Sequence, residues 1–110
     1  MFGKRKDVTR GALDVSDQAQ LLSGSQEFMR VWAAADGPVT CFIDPRPIGP
    51  DPAALGIALV DCARHGAIAY AHAAGISEQA AYARIWEGFD AERLSPTDIA
   101  TELPLKGDVN

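Results

Sequence analysis

The amino-acid sequence predicts an α+β protein in which a β-hairpin is followed by two helices, a ββαα order. Aromatic and β-branched residues between positions 27 and 43 are interrupted by Asp36-Gly37, which is typical of a two-residue hairpin turn. Two segments with the helical spacing of apolar residues follow, at 52–74 and 78–93. A proline-rich connector at 44–50, which excludes a helix or a central strand, separates the hairpin from the helices.

The predicted strands cover residues 27–35 and 39–43, and Pro38 precedes the second strand, where a missing N–H is tolerated. A two-residue turn sets the register of such a hairpin. Ala35 is expected opposite Pro38, Ala33 opposite Thr40, and Val31 opposite Phe42. One face then carries Met29, Val31, Ala33 and Phe42, and the other carries Phe28, Arg30, Trp32, Ala34, Val39, Cys41 and Ile43.

Each predicted helix has recognisable end signals. Asp51 is a good N-cap and Pro52 fits the first helical position, whereas Gly75 suits the position after a helix C-terminus. Ser77 caps the second helix. We expect one apolar stripe on each helix to pack against the other helix and against one face of the hairpin. The stripes are Leu55, Leu59, Cys62, Gly66, Ala69, Tyr70 and Ala73, and Ala81, Tyr82, Ile85, Trp86 and Phe89.

The 110 residues fit one domain. We assign residues 1–25 to a flexible N-terminal segment, with a short helical turn starting at 14–17. The α+β domain covers 26–98, and 99–110 form a C-terminal tail.

Composition excludes several classes of function. The net charge of −5 is unfavourable for binding nucleic acid, and the basic run Lys4-Arg5-Lys6 is short and terminal. No signal peptide is evident, and no apolar run approaches the roughly 18 residues of a membrane span. These observations predict a cytoplasmic protein with no nucleic-acid or membrane partner. Cys41 and Cys62 lack metal-ligand spacing, so we expect them to be reduced, buried and inert.

The sequence contains no phosphate-binding glycine loop and no hydrolase serine elbow, and it predicts no catalytic residue, metal or cofactor. Five residues are candidates for ligand binding. Arg30 and Trp32 point the same way from the first strand and suit an anionic or aromatic ligand. Asp61, Arg64 and His65 lie on the first helix, where the carboxylate faces the imidazole four residues later. The structural alternative is a set of ion pairs, with Asp61, Glu87 or Glu92 as partner of Arg30.

Apolar residues outside the core stripes predict a homodimer. Both hairpin faces are apolar, although a hairpin packed on helices needs only one apolar face. The second face must be covered by the N-terminal segment, the C-terminal tail or another subunit. Ile57 and Ile68 also lie on the otherwise polar face of the first helix. We therefore expect a contact through Met29, Val31 and Phe42, with the Ile57–Ile68 face as the alternative.

Several short motifs together resemble a bacterial family of short proteins that is catalogued only as a domain of unknown function. The motifs are Arg30-Val31-Trp32-Ala33, Asp51-Pro52, Arg64-His65 and Gly88-Phe89-Asp90-Ala91-Glu92. The resemblance covers residues 27–98 and implies a stand-alone cytoplasmic protein of this size. It implies no reaction, ligand or functional residue.

Three hypotheses about function follow. The first is a non-enzymatic interaction or structural module that forms homo-oligomers and docks on another protein. The second is a small-ligand binding protein with an anion-accepting pocket of Arg30, Trp32, Arg64 and His65. The third is an enzyme that uses His65 with Asp61, against which the lack of a nucleophile motif counts.

Overall fold

The structure, a computed structural model, describes residues 10–97 and residue 105. A 3-10 helix at Ser16–Gln18 precedes the strands β1 (Met29–Ala33) and β2 (Val39–Ile43). A second 3-10 helix at Arg46–Ile48 leads to the helices α1 (Ala53–Ala74) and α2 (Glu78–Leu94). The predicted ββαα order is therefore confirmed. The basic run at 4–6 and the tail at 99–110, except Leu105, lie outside the described residues.

The register of the hairpin differs from the predicted one by one residue. Ala33 pairs with Val39, Val31 with Cys41, and Met29 with Ile43 in an antiparallel sheet of two strands. The loop therefore spans five residues, 34–38, and the predicted pairing of Ala35 with Pro38 is wrong.

Pro38 explains the longer loop. A two-residue hairpin turn needs hydrogen bonds between the residues that flank it, and proline has no N–H to donate. The favoured two-residue turns also need positive φ angles, yet none of residues 34–38 has one. The first position at which both strands can pair fully is therefore Ala33 with Val39.

The shifted register changes which residues share a face. Met29, Val31 and Ala33 lie on the same face as Val39, Cys41 and Ile43, and we call these six residues the hairpin face. Phe42 lies on the opposite face with Arg30 and Trp32, so its predicted grouping with Met29 and Val31 is wrong. Since the period of a strand is two, a slip of one residue moves every side chain of one strand to the other face.

The N-terminal segment borders the Trp32 side of the hairpin. Gly11 adopts a left-handed backbone with φ of 86°, and a Cβ built on it would lie 3.7 Å from Cζ3 of Trp32. Trp32 and Phe42 are both half-buried. The first of the three predicted covers, the N-terminal segment, therefore shields part of this face within a single chain.

The predicted helix ends agree with the structure, except that Pro52, predicted as the first helical residue, is the N-cap of α1. The carboxylate of Asp51 accepts a hydrogen bond of 3.0 Å from the Ala53 N–H at the start of α1. Gly75 ends α1 with a left-handed φ of 71°, and its N–H donates to the Ala71 carbonyl. The Ser77 Oγ accepts from the Ala80 N–H at 3.0 Å at the start of α2. The chain thus turns sharply between two helices through local signals alone.

Replacement of Ser77 by alanine is expected to lower the free energy of unfolding by about 1 kcal/mol, because the Ala80 N–H loses its acceptor. Urea titration followed by circular dichroism measures the change. Ser77→Asp, which keeps an acceptor, is the matched control and should retain the stability. Equal losses in both variants would show that the hydroxyl does not act as a cap.

The connector between hairpin and helices contains the short 3-10 helix Arg46–Ile48, so the prediction that it excludes a helix is wrong for one turn. Its hydrogen bond runs from the Ile48 N–H to the Pro45 carbonyl, and the prolines contribute only acceptors to it. Pro47 lies in the first turn of this element, where N–H groups have no partner within a helix, so its missing N–H does not prevent a single 3-10 turn.

The two helices pack through small residues. Ala67 of α1 and Ala81 of α2 are the only buried residues among those described, with 3% and 2% exposure. The extensive contacts between elements are those of α1 with α2 and of β1 with β2. The expected packing of the helical stripes on the hairpin is therefore not a main feature of the fold. On α1, Ala67 is buried and Ala63 and Ala71, one turn before and after it, are half-buried. These alanines face α2, so the predicted stripe of α1 faces partly away from α2.

Candidate functional site

An apolar groove of about 390 Å³ runs between α1 and α2. One wall comes from α1 and the other from α2, and none of the lining residues carries a charge. Most members of the two predicted stripes lie here rather than in a closed core. The lining residues are Gly56, Leu59, Val60, Cys62, Ala63, Gly66, Tyr70, Ile85, Trp86 and Phe89.

Trp86 and Phe89, which line the groove from α2, belong to a row of interacting aromatic rings. The Trp86 ring lies edge-on to Tyr82, at 6.1 Å between centroids, and to Phe89, at 5.1 Å. The guanidinium of Arg93 lies 5.9 Å from the centre of the Phe89 ring. These edge-to-face contacts hold the rings in place.

The hairpin face is a second apolar surface in contact with solvent. Val31 and Val39 are 48% and 61% exposed, and Ile43 and Cys41 are exposed as well. Six neutral side chains lie side by side on two paired strands. Of the three predicted contact residues on the hairpin, Met29 and Val31 belong to this surface and Phe42 does not.

The Ile57–Ile68 surface of α1 is the third apolar surface. Ile57 is 72% exposed and Ile68 is 41% exposed, as their position on the polar side of the helix predicts. Asp61, Arg64 and His65 lie between and beside them on the same side of α1, and all three are exposed. Charged groups therefore interrupt this surface, unlike the hairpin face and the groove.

Arg30 has its own acidic partner within the hairpin. Its Nε donates to Glu27 Oε2 at 3.0 Å, and its Nη2 donates to Glu27 Oε1. The hydrogen bonds and the charge of Glu27 raise the pKa of Arg30. Glu27 therefore takes the place of the partners predicted from the sequence, Asp61, Glu87 and Glu92. The sequence contained a signal for this ion pair, because Glu27 and Arg30 are only three residues apart.

Asp61 and His65 face each other along α1, as predicted. Asp61 Oδ2 lies 3.9 Å from His65 Nε2, and the two side chains are 69% and 75% exposed. The groove lining includes neither of them, nor Arg30, Trp32 or Arg64. The structure therefore brings Asp61 and His65 together on an open helix surface, apart from the concave site that the described residues form.

Other ion pairs on the surface are local. Arg93 Nη2 lies 3.7 Å from Asp90 Oδ1, and Arg84 pairs with Glu87. Both pairs join residues three apart on α2. Exposed pairs of this kind contribute less than about 1 kcal/mol each.

Asp44 and Arg46 form a third local pair at the end of the hairpin. Arg46 donates from Nε to Asp44 Oδ1 at 2.8 Å and from Nη2 to Oδ2 at 2.7 Å. These hydrogen bonds, with one from the Arg46 backbone N–H, lower the pKa of Asp44. Since the lowered pKa belongs to the folded state, the stabilisation is present above pH ~4 and disappears as the pH falls through the folded-state pKa.

The prediction that both cysteines are buried is wrong. Cys41 lies on the hairpin face and Cys62 lines the groove, and both are exposed as free thiols in the single chain. The apolar neighbours of each cysteine, which led to the prediction, are themselves uncovered. Each of the two continuous apolar surfaces therefore carries one thiol.

The described residues contain no group of three or more His, Cys, Asp or Glu side chains that could hold a metal ion. Within the same residues, no helix is long and apolar enough to cross a membrane.

Comparison with known proteins places the chain in a family. A search of curated proteins finds no match. Among solved structures, the chain is similar to that of "a putative pyruvate dehydrogenase from the photosynthetic bacterium Rhodopseudomonas palustrus CGA009", with 30% sequence identity and a TM-score of 0.63. The match covers 89% of this chain and 98% of that one.

The family profile of a domain of unknown function, DUF5076, matches residues 12–97. This range includes the segment before the hairpin, which the resemblance seen in the sequence did not cover. The chain belongs to the DUF5076 family.

Proposed function

We propose that this protein is a homo-oligomerising interaction module whose apolar surfaces are covered by further copies of the same chain. The observation that carries the proposal is that Ala67 and Ala81 are the only buried side chains among residues 10–97 and 105. Large apolar residues lie on the surface instead. A small domain is stable only if it removes enough apolar area from water. A second copy of the chain can bury these exposed apolar residues, and it is present wherever the protein is synthesised.

The hairpin face is the contact surface that suits a second copy best. It is neutral, so two chains that each carry a net charge of −5 can meet there without placing like charges together. A two-fold axis through the sheet would bring the same six side chains of both copies into contact. The Ile57–Ile68 surface is the alternative, but its charged neighbours would have to lose water on association.

The similar protein's description suggests an enzyme, the competing class of function. Catalytic groups act where water is excluded and dipoles are preorganised. The only histidine–carboxylate pair among the described residues, His65 with Asp61, is mostly in contact with solvent. Arg30 already pairs with Glu27, which weakens the case for an anion site at the hairpin. These observations support an interaction module over an enzyme or an anion-binding protein.

The mass of the protein in solution tests this proposal. Light scattering during size-exclusion chromatography at tens of micromolar is expected to give a multiple of the chain mass of 11.7 kDa. Val31→Lys places a charge in the centre of the hairpin face and is expected to reduce the mass by half or more. The reason is that a charge desolvated without a partner costs several kcal/mol.

Thr40→Lys is the matched control. Thr40 is exposed and lies in β2 of the same hairpin, but its side chain is on the opposite face. This variant is expected to keep the wild-type mass. A monomeric wild-type protein would contradict the proposal. Equal effects of the two lysines would instead show that the contact is not at the hairpin face.

A further inference from the structure

The groove between α1 and α2 is an apolar surface that the proposed contact through the hairpin face leaves uncovered. We infer that it is also a subunit interface, in which the helix pair of another copy completes a four-helix bundle. This inference rests on the proposed homo-oligomer and adds a second contact to it. Its basis is the shape, the chemistry and the size of the groove.

The shape of the groove fits a second copy of itself. The α1 wall combines the small residues Gly56, Cys62, Ala63 and Gly66 with the larger Leu59, Val60 and Tyr70, whereas the α2 wall consists of the large side chains Ile85, Trp86 and Phe89. A two-fold axis along the groove would place the large wall of one copy against the small wall of the other. The aromatic side chains of one copy would then lie over the small residues of the other, among which Gly56 has open space beside it.

The chemistry of the groove also favours a partner with an apolar helical surface. All of its lining residues are neutral, so an isologous contact brings no charges together. Sites for small molecules bury 70–90% or more of their ligand. Tyr70 and Phe89 are 59% and 45% exposed, which makes this groove too shallow for such a site. An αα-hairpin with one open apolar side is half of a four-helix bundle, and a second pair closes the core.

The size of the surface suits a modest contact that adds to another one. The 17 residues of α2 give a length of about 25 Å, and two adjacent helices of about 10 Å each give a width of about 20 Å. The resulting projected footprint is about 500 Å², which is smaller than the ~800 Å² that each partner buries in a standard interface but of the same order. Combined with the hairpin contact, two different two-fold interfaces whose axes cross at right angles produce a closed tetramer with D2 symmetry, which is the assembly we infer.

Glycine 56 allows a direct test. A Cβ built on Gly56 meets no atom within 4 Å, so the single chain has room for a larger side chain that would block the groove to a partner. Sedimentation equilibrium of the full chain is expected to give a tetramer for the wild type and a dimer for Gly56→Arg. Val31→Lys should also give a dimer, joined through the groove, and the double variant should be monomeric.

Gly88→Arg is the matched control, because Gly88 is also helical, exposed and without a neighbour within 4 Å, but does not line the groove. It should remain a tetramer. If Gly56→Arg keeps the wild-type mass, or Gly88→Arg lowers it equally, the groove contact is wrong while homo-oligomerisation stands. A monomeric wild type would overturn both proposals.

Two further measurements keep the result clear if Gly56→Arg fails to fold. Tyr70→Glu changes an exposed groove residue at another position along α1 and is expected to halve the mass, as Gly56→Arg does. A folded Tyr70→Glu protein of wild-type mass would overturn the inference. Anilinonaphthalene sulfonate should bind Tyr70→Glu more strongly than the wild type, whose groove is closed. Strong binding to a wild-type protein would instead identify an open groove for small apolar ligands.

Discussion

The unfolding temperature of this protein is expected to rise with protein concentration. If burial between copies stabilises the fold, the native oligomer unfolds to separate chains, and mass action couples unfolding to dissociation. A hundredfold increase in concentration then contributes about 2.7 kcal/mol to each dissociation step. For two chains of this length, with about 0.7 kcal/mol of unfolding enthalpy per residue, the midpoint should rise by roughly 5–10 °C.

Circular dichroism at 222 nm in cells of different path length can follow this transition at 2 and 200 µM. A covalently linked tandem dimer is the control, since unfolding of a linked pair depends less on concentration. A midpoint that is identical at both concentrations would show that the single chain is stable alone. The burial of Ala67 and Ala81, with the half-buried residues around them, would then suffice for folding.

The largest effect of a single substitution is expected at Ala81. This residue is 2% exposed in the contact between α2 and α1. Ala81→Glu would force a long charged side chain into a space that fits a methyl group, which adds overpacking to the desolvation of a carboxylate. The expected cost is about 3 kcal/mol or more, against a typical domain stability of 5–15 kcal/mol. We expect loss of most of the cooperative thermal transition.

Ala83→Glu is the matched control because Ala83 is exposed on the same helix and does not line the groove. Its effect on the free energy of unfolding should remain within about 0.5 kcal/mol. Urea titration of both variants measures the difference. Equal stability of Ala81→Glu and Ala83→Glu would mean that the helices do not pack as described.

The order and the ends of the elements were predictable because they depend on neighbours in the chain. Ser77 and Gly75 act on backbone groups within three or four residues, and the structure confirms both. Asp51 lies one residue before the N-cap Pro52, and its carboxylate still accepts from the Ala53 N–H. The Asp61–His65 pair was predictable for the same reason, since helical spacing alone brings the two residues together.

The hairpin register was not predicted because two local signals conflicted. Asp36-Gly37 favours a two-residue turn, but Pro38 cannot supply the hydrogen bond that closes it. The structure forms a five-residue loop instead, and Phe42 changes face as a result. The candidate ligand residues depended on long-range geometry as well. Arg30 pairs with the nearby Glu27, away from the helix residues with which the sequence analysis grouped it.

The sequence by itself determined the ββαα order, the caps and the presence of more apolar surface than one small domain can bury. Only the tertiary structure decided where that surface lies. The stripes of α1 and α2 do not close into a core, because the helices meet through Ala67 and Ala81 and leave the larger side chains beside a groove. Periodicity defines which residues share a face of one element. It does not define which face a second element covers, since that depends on packing between residues far apart in the chain.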